Sequence, residues 1–284
     1  MTPTTIRLLS EQRFATFIRW LASNGQVNDD GGLEATCIAT LQHPESGQPK
    51  AFYVKLYPDL NLRSRAMANE VAGYVLAHRY GLPQPPRACI ARIPLKKLDL
   101  KSLPKRHQWL KEMAKSKANY HAFCTEAMNA PTPWHHYGEA AFEAMKEDVR
   151  LWPDHAKTLA FDDIVANLDR HLNNLLRIGE SRYALIDHGR LVVESGHWQA
   201  SDLEAEQEFN NRLLAILYND PSQAANGMIA AAENATAILT GTAEVGHWLD
   251  HLTQSQEESR AFDKFVQART ISAPQRIAKR YALC

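Results

Sequence analysis

Apolar positions recur with two different periods along this chain, and the period changes as the sequence is followed. Ala35 to Leu41 alternates apolar and polar residues. Ala51-Phe52-Tyr53-Val54-Lys55-Leu56-Tyr57 is aromatic and β-branched enough for a strand. The turn residues from Pro44 to Gly47 lie between them, so the two runs predict a hairpin. From Ser64 to Tyr80 the spacing becomes helical, with Met67, Val71, Tyr74, Val75 and His78 on one stripe. Gly81, Pro83, Pro85 and Pro86 end that helix. Upstream, Ser10 is placed to cap a short helix carrying Phe14, Phe17, Ile18 and Leu21, closed by Asn24-Gly25. Cys89 to Ile93 and His121 to Met128 predict further strands around a basic helical excursion at Trp109 to Lys117.

After the linker Asn129-Ala130-Pro131-Thr132-Pro133 the pattern is mostly helical: Glu139 to Leu151, Phe161 to Leu168, Leu203 to Leu217, Ala224 to Leu239 and Gln256 to Thr270. Leu175 to Ile178 and Tyr183 to Ile186 interrupt it as a short strand pair around Gly179-Glu180-Ser181. The prediction is an α+β protein of two lobes, strand-rich over 1–128 and mostly helical over 129–284.

Composition adds bounds rather than detail. The chain has 284 residues, 45% hydrophobic and 23% charged, which is enough for a sizeable core without covalent staples. Its formal net charge is zero, so nothing argues for bulk attraction to nucleic acid or an anionic membrane. The basic run Lys96 to Arg106 reads as a solvated surface segment. Cys37, Cys89, Cys124 and Cys284 form no CxxC pair; the first three sit in apolar runs and predict buried thiols. Arg7, Glu11 and Arg13 break any leader-like apolar run, and no stretch approaches eighteen apolar residues. The expectation is a cytoplasmic enzyme without a membrane span.

The chemistry concentrates in Asp169-Arg170-His171-Leu172-Asn173-Asn174 and Asp187-His188-Gly189. Phosphoryl transfer needs metal ligands at the nucleotide phosphates, a carboxylate that orients the attacking hydroxyl, and a cation on the phosphates. Magnesium takes hard oxygen ligands, one or two carboxylates with amide oxygen and water. Asn174 and Asp187 flank strands joined by one turn, so a hairpin would bring an amide oxygen and a carboxylate together near Asp169. Each motif alone also reads as an ordinary turn; it is their spacing across a predicted hairpin that makes them a site.

Asn167-Leu168-Asp169-Arg170-His171-Leu172-Asn173-Asn174, followed by Tyr183-Ala184-Leu185-Ile186-Asp187-His188-Gly189, resembles the catalytic and metal-binding loops of HipA-like kinases. The wider group includes the phosphoinositide 3-/4-kinases. The resemblance implies a two-lobe protein-kinase-like fold that uses ATP and Mg²⁺. It makes Asp169 the catalytic aspartate, with Asn174 and Asp187 holding Mg²⁺. Arg170 and His171 would support the loop, and His171 would alternatively touch the substrate or γ-phosphate. Lys55, closing the strand Phe52-Tyr53-Val54, corresponds to the phosphate-gripping cation. Asn69-Glu70 with Tyr74, Leu76, Ala77 and Gly81-Leu82-Pro83 is similar to a HipA-like helix, which makes Glu70 the partner of Lys55. Glu126 to Pro131 falls where such a fold threads its hinge, whose backbone commonly meets adenine.

Two departures stand out. No GxGxxG precedes Lys55, so a phosphate loop is only guessed within Gly25 to Gly32. The first strand also comes too early for the extra N-terminal subdomain of long HipA toxins.

These features predict a serine/threonine protein kinase with a protein substrate and no direct nucleic-acid contact. Toxin members of the group phosphorylate aminoacyl-tRNA synthetases, which extends the expectation to a toxin-type kinase with an antitoxin partner. A phosphoinositide or small-molecule kinase keeps the same chemistry, although no membrane-binding basic helix supports it. A metal-dependent phosphohydrolase built on Asp169, His171, Asp187 and His188 would leave Lys55, Glu70 and Asn174 without work. A pseudokinase binding module would not need every polar group that is present.

Overall fold

A computed structural model of the protein describes residues 5–21, 34–42, 47–58, 65–193 and 197–282. The phosphate loop guessed within Gly25 to Gly32 and most of the turn after Gln42 lie outside them. In chain order the elements are β1 (Ile6–Leu9), β2 (Phe14–Trp20), β3 (Ala35–Gln42), β4 (Pro49–Leu56), α1 (Ala66–Tyr80), β5 (Ala88–Pro94), α2 (Gln108–Ser116) and β6 (Asn119–Glu126). Then follow α3 (Pro133–Tyr137), α4 (Phe142–Arg150), α5 (His155–Ile164), β7 (Leu175–Gly179), β8 (Arg182–Leu185), α6 (Arg212–Leu217), α7 (Ser222–Glu233), α8 (Thr242–Thr253) and α9 (Gln256–Tyr281). The chain forms two compact units: residues 1–67 with 85–128, and residues 68–84 with 129–284. The stretch that carries Glu70 therefore clusters with the second unit, while Lys55 belongs to the first.

The first unit is a six-stranded sheet in the order β1-β5-β6-β4-β3-β2, antiparallel except where β1 runs parallel to β5. β3 alternates buried and half-buried residues along its whole length, as its sequence pattern demands. Cys37, Val54, Cys124 and Cys89 form one row across four strands, on a core that includes Phe14, Phe52, Ile93 and Leu110. These three cysteines are buried free thiols, and burial pushes the Cys37 thiol up to about 12, which keeps it unreactive.

The segment Phe14 to Leu21, expected as a helix, instead forms the edge strand β2 over Phe14–Trp20. Its register against β3 shifts twice, between Phe14 and Thr16 and between Phe17 and Arg19. Each irregularity breaks the period-2 alternation, and the result imitates an i, i+3, i+4 spacing. Ser10 precedes a single 3-10 turn and makes no side-chain cap.

The second unit has α1 inside it. The predicted one-sided stripe is corrected to burial nearly all round, from Ala68 to Ala77. The helix ends as predicted, on a Schellman motif. Gly81 takes φ 72, its N–H bonds the His78 carbonyl at 3.0 Å, and Leu82 bonds the Ala77 carbonyl at 3.0 Å.

The stretch Leu203 to Leu217 is helical only over α6. The carbonyls of Ala205 and Gln207 accept hydrogen bonds from Arg269 Nη1, each at 2.9 Å, and that of Phe209 accepts from Arg280 at 2.5 Å. Arginines of α9 thus replace helix bonds in that segment. α9 itself runs past the expected end at Thr270, with Pro274 inside it. Arg269 is fully buried, also donates to the Asp163 and Ile164 carbonyls of α5, and stacks on Phe209 and Phe265. Desolvation lowers its pKa to about 10, where it still holds its proton at neutral pH.

Candidate active site

The hairpin of β7 and β8 pairs Leu175 with Leu185, which sets Asn174 and Ile186 side by side; the Ile186 N–H donates to the Asn174 carbonyl at 3.1 Å. The Asn174 side-chain amide donates to the Asp169 carbonyl at 2.9 Å. That bond fixes the orientation of the amide and leaves Oδ1 as an acceptor; among the described residues no hydrogen bond to it is made.

Arg170 locks the two loops into one piece. It is fully buried, as is its carboxylate partner Asp162, with Nε to Oδ2 at 3.2 Å. Its Nη1 donates to the carbonyls of Ile186 at 2.5 Å and Asp187 at 3.2 Å, and Nη2 faces His188 Nδ1 at 2.9 Å. A guanidinium only donates, so His188 Nδ1 accepts and the imidazole is neutral with its proton on Nε2. Burial raises the Asp162 pKa, and Arg170 and Asn167 work against that rise. Further backbone bonds join the loops, from Leu168 to the Arg190 carbonyl at 3.2 Å and from Val192 to the Ala166 carbonyl at 2.8 Å. Ala166, Asp187 and Val192 all have positive φ, at 53°, 61° and 70°. Such conformations cost about 1–3 kcal/mol each and persist only where the surroundings enforce them.

α1 supplies the third side of this arrangement. Glu70 is buried and accepts the His188 backbone N–H at 2.9 Å. Asn69 donates to the Gly189 carbonyl at 2.9 Å and accepts from Trp198 Nε1 at 2.7 Å. Gly73 is where the helix meets the loop: a Cβ there would lie 2.3 Å from His188 Cβ. Glu70 thus holds the Asp187-His188-Gly189 turn through its backbone, a task that the sequence did not suggest.

Asp169 is met by two arginines. Arg212, at the start of α6, pairs closely with its Oδ1, and Arg190 Nε lies 3.6 Å from Oδ2. His171 caps the turn before β7, its Nδ1 accepting the Asn173 N–H at 3.2 Å. Burial, the largest influence, lowers its pKa from the ordinary 6.5, and Arg212 and Arg170 push the same way against Asp169 and Asp187. His171 is therefore neutral at pH 7, a donor through Nε2 rather than a cation.

Asp169, His171, Asn174, Asp187 and Glu70 thus fall together in the second unit. Lys55 lies on β4 of the first, opposite Thr36 and Phe123 in the sheet. Glu126, at the start of the expected hinge, makes ion pairs with Lys50 at 2.8 Å and Arg87 at 2.5 Å.

Asn174 Oδ1 and the Asp187 carboxylate are hard oxygens of the kind Mg²⁺ takes, and the donor set fits that ion. Among the described residues no group of three or more His, Cys, Asp and Glu is placed to hold a metal by itself. No helix there is long and apolar enough to cross a membrane. His188 Nδ1, engaged with Arg170, is not available as a transition-metal ligand.

The fold is of a two-lobe, kinase-like α+β class. A solved structure that carries this resemblance is the Helicobacter pylori proinflammatory kinase CtkA, with a TM-score of 0.52 and 11% sequence identity, covering 96% of this chain and 98% of that one. No family model matches the chain, and no curated protein sequence does.

Proposed function

We propose that this protein is an ATP- and Mg²⁺-dependent phosphotransferase acting on an alcohol group, and that it is a HipA-like serine/threonine protein kinase. The observation that carries this reading is the joint between Asn174 and Asp187. Two hard oxygen groups on either side of one short hairpin are held by that hairpin and one buried guanidinium beside Asp169. A preorganised oxygen pair beside a carboxylate is what phosphoryl transfer requires of a protein, since positioning and electrostatics do most of the work.

In this reading Asp169 orients the acceptor hydroxyl and takes its proton. The hydroxyl oxygen forms the new bond to the γ-phosphorus. The bond from that phosphorus to the β,γ-bridging oxygen breaks, and ADP leaves with the electron pair. Asn174 and Asp187 hold Mg²⁺, which when bound neutralises phosphate charge. Lys55 supplies the phosphate-gripping cation, and Glu70 is assigned as its partner from the sequence resemblance. Neutral His171 donates from Nε2 to substrate or phosphate. The toxin-type role and an antitoxin partner rest on the resemblance alone.

The test is incubation with labelled ATP and Mg²⁺, wild type beside Asp169→Ala and Asp187→Ala. Label should reach protein, on the chain itself or in a cell extract, and both substitutions should abolish it. Label confined to extracted lipid would move the acceptor to phosphoinositides. Release of phosphate from monoesters without ATP would sink the kinase reading.

A further inference from the structure

β5 and β6 are antiparallel neighbours, with Pro94 opposite Asn119 at their ends. A turn of about two to five residues would join such strands. Residues 95–118 stand there instead, and they are built as structure of their own. They contain α2, and the Leu95 N–H donates to the Ala118 carbonyl at 3.0 Å, which ties their two ends together. Leu95, Leu98, Leu103 and Leu110 are buried in the core of the sheet. A connection this long within a compact unit ordinarily carries a function.

Charge is the first clue to that function. The chain holds 32 basic and 32 acidic residues, yet from Lys96 to Lys117 eight lysines and arginines stand against two acids, Asp99 and Glu112. Both acids are engaged locally, Glu112 by Lys115 at 2.6 Å and Asp99 by the Ser102 hydroxyl. The second clue is a cleft of about 580 Å³ where the ends of the insertion meet the turn before β2. Its floor is apolar, made by Pro94, Leu95, Leu100 and Ala114. The acid on its wall, Glu11, pairs with Arg92 at 3.0 Å. Lys97 is held back by the Phe14 carbonyl, to which it donates at 3.0 Å. Lys96, and Lys117 over the Tyr120 ring, are exposed at the rim.

From this we infer that the insertion is a docking surface for an acidic segment of a partner protein, in which aspartates or glutamates flank an apolar side chain. The apolar side chain fills the cleft, and the carboxylates on either side meet Lys96 and Lys117. The lysine stems extend the apolar wall while their ammonium groups stay at the rim. Nucleic acid fits less well, because no aromatic ring lines the cleft for a base to stack on, and phosphates would leave its floor uncovered. A membrane fits less well too, since α2 already packs Leu110, Trp109 and Ala114 onto the core. The inference uses none of the residues assigned to phosphoryl transfer and is independent of that reading.

The experiment selects peptides from a random phage-displayed library on the full-length chain, then measures the enriched ones by fluorescence anisotropy. Enriched sequences should place Asp or Glu on both sides of Leu, Ile or Phe, and their affinity should fall as salt is added. Lys96→Glu with Lys117→Glu should weaken binding about tenfold or more. Lys101→Glu with Lys105→Glu removes the same charge outside the cleft and should change binding less than about twofold. All four side chains are exposed, so both double variants should melt with wild type. Lys96→Gln with Lys117→Gln replaces the reversal if that pair disturbs the fold.

Equal weakening by the two double variants would mean attraction to bulk charge and would overturn the inference. A selection that enriches no acidic and apolar pattern would overturn it as well. So would a single-stranded oligonucleotide, or vesicles of phosphatidylglycerol, that bind through Lys96 and Lys117 where the peptides do not.

Discussion

Single residues carry most of the site's precision, and Gly73 is the sharpest case. Glycine inside a helix ordinarily costs about 1 kcal/mol relative to alanine, so Gly73→Ala on an open face would stabilise the protein. Here the added Cβ would meet His188 at 2.3 and 2.4 Å, and the neighbour is a ring base held by Arg170 and Glu70 rather than a flexible tip. Overpacking of this kind costs about 1–3 kcal/mol. Denaturant unfolding of Gly73→Ala should therefore show lower stability, accompanied by loss of labelled transfer. A gain would mean that the loop does not sit against α1. Asp169, Asn174 and Asp187 could be singled out from residue type, their spacing across a hairpin and the resemblance to HipA-like loops, and the structure brings all three into the second unit. The sequence offered no local sign of Arg212, forty-three positions from Asp169, because nothing in a helix start announces a tertiary ion pair. Asp162 was more legible, as an acid among the apolar residues of a helix buried along most of its length.

At the scale of elements, the β7–β8 hairpin between Asn174 and Asp187 is anchored by Asp148 of α4. Asp148 accepts hydrogen bonds from Ser181 at 2.6 Å and from Tyr183, and pairs with Arg177 at 3.2 Å. Burial by itself would raise its pKa, but these donors and Tyr137 outweigh it and hold the value at about 2, against an ordinary 3.8. A depressed carboxyl pKa contributes stability that is present above the unfolded value and is lost as pH falls through the folded one. The contribution is about 2 kcal/mol, and the window runs from about pH 4 down to about pH 2. Unfolding free energies measured across that range should fall more steeply for wild type than for Asp148→Asn. Parallel curves would remove Asp148 as the anchor.

Elements with clean periodicity, such as β3 and β4, could be read from sequence, and so could the stop of α1 at Gly81. β2 could not, because its two register irregularities imitate a helix. The segment before α6 could not, because its carbonyls are satisfied by arginines from far along the chain.

For the whole molecule, the two-lobe class followed from a change of hydrophobic period, and similarity to CtkA at a TM-score of 0.52 supports that class. The sequence did not indicate that the α1 stretch bearing Glu70 would cluster with the helical unit, since chain order says nothing about which core buries a helix on all sides. A ligand that binds only the native state stabilises it by mass action, about 2.7 kcal/mol at a hundredfold excess over Kd. MgATP should accordingly raise the melting temperature by several degrees. Asp187→Ala should lose the Mg²⁺-dependent part of that rise while keeping the baseline fold. An equal rise in both proteins would take Asp187 out of metal binding.

The arginines of α9 have a consequence for how the protein is made. Arg269 and Arg280 hold the backbone that leads into Arg212, and they lie about sixty to seventy positions further along the chain. Asp169, Asn174, Asp187 and the Arg190 that pairs with Asp169 are synthesised first, whereas the Arg212 pair follows backbone whose carbonyls are satisfied only once α9 has been made. A nascent chain paused before that helix would carry the loops 169–174 and 187–189 without the arginines that hold the segment leading into α6. The Arg212–Asp169 pair would then be among the last contacts of this region to settle during synthesis.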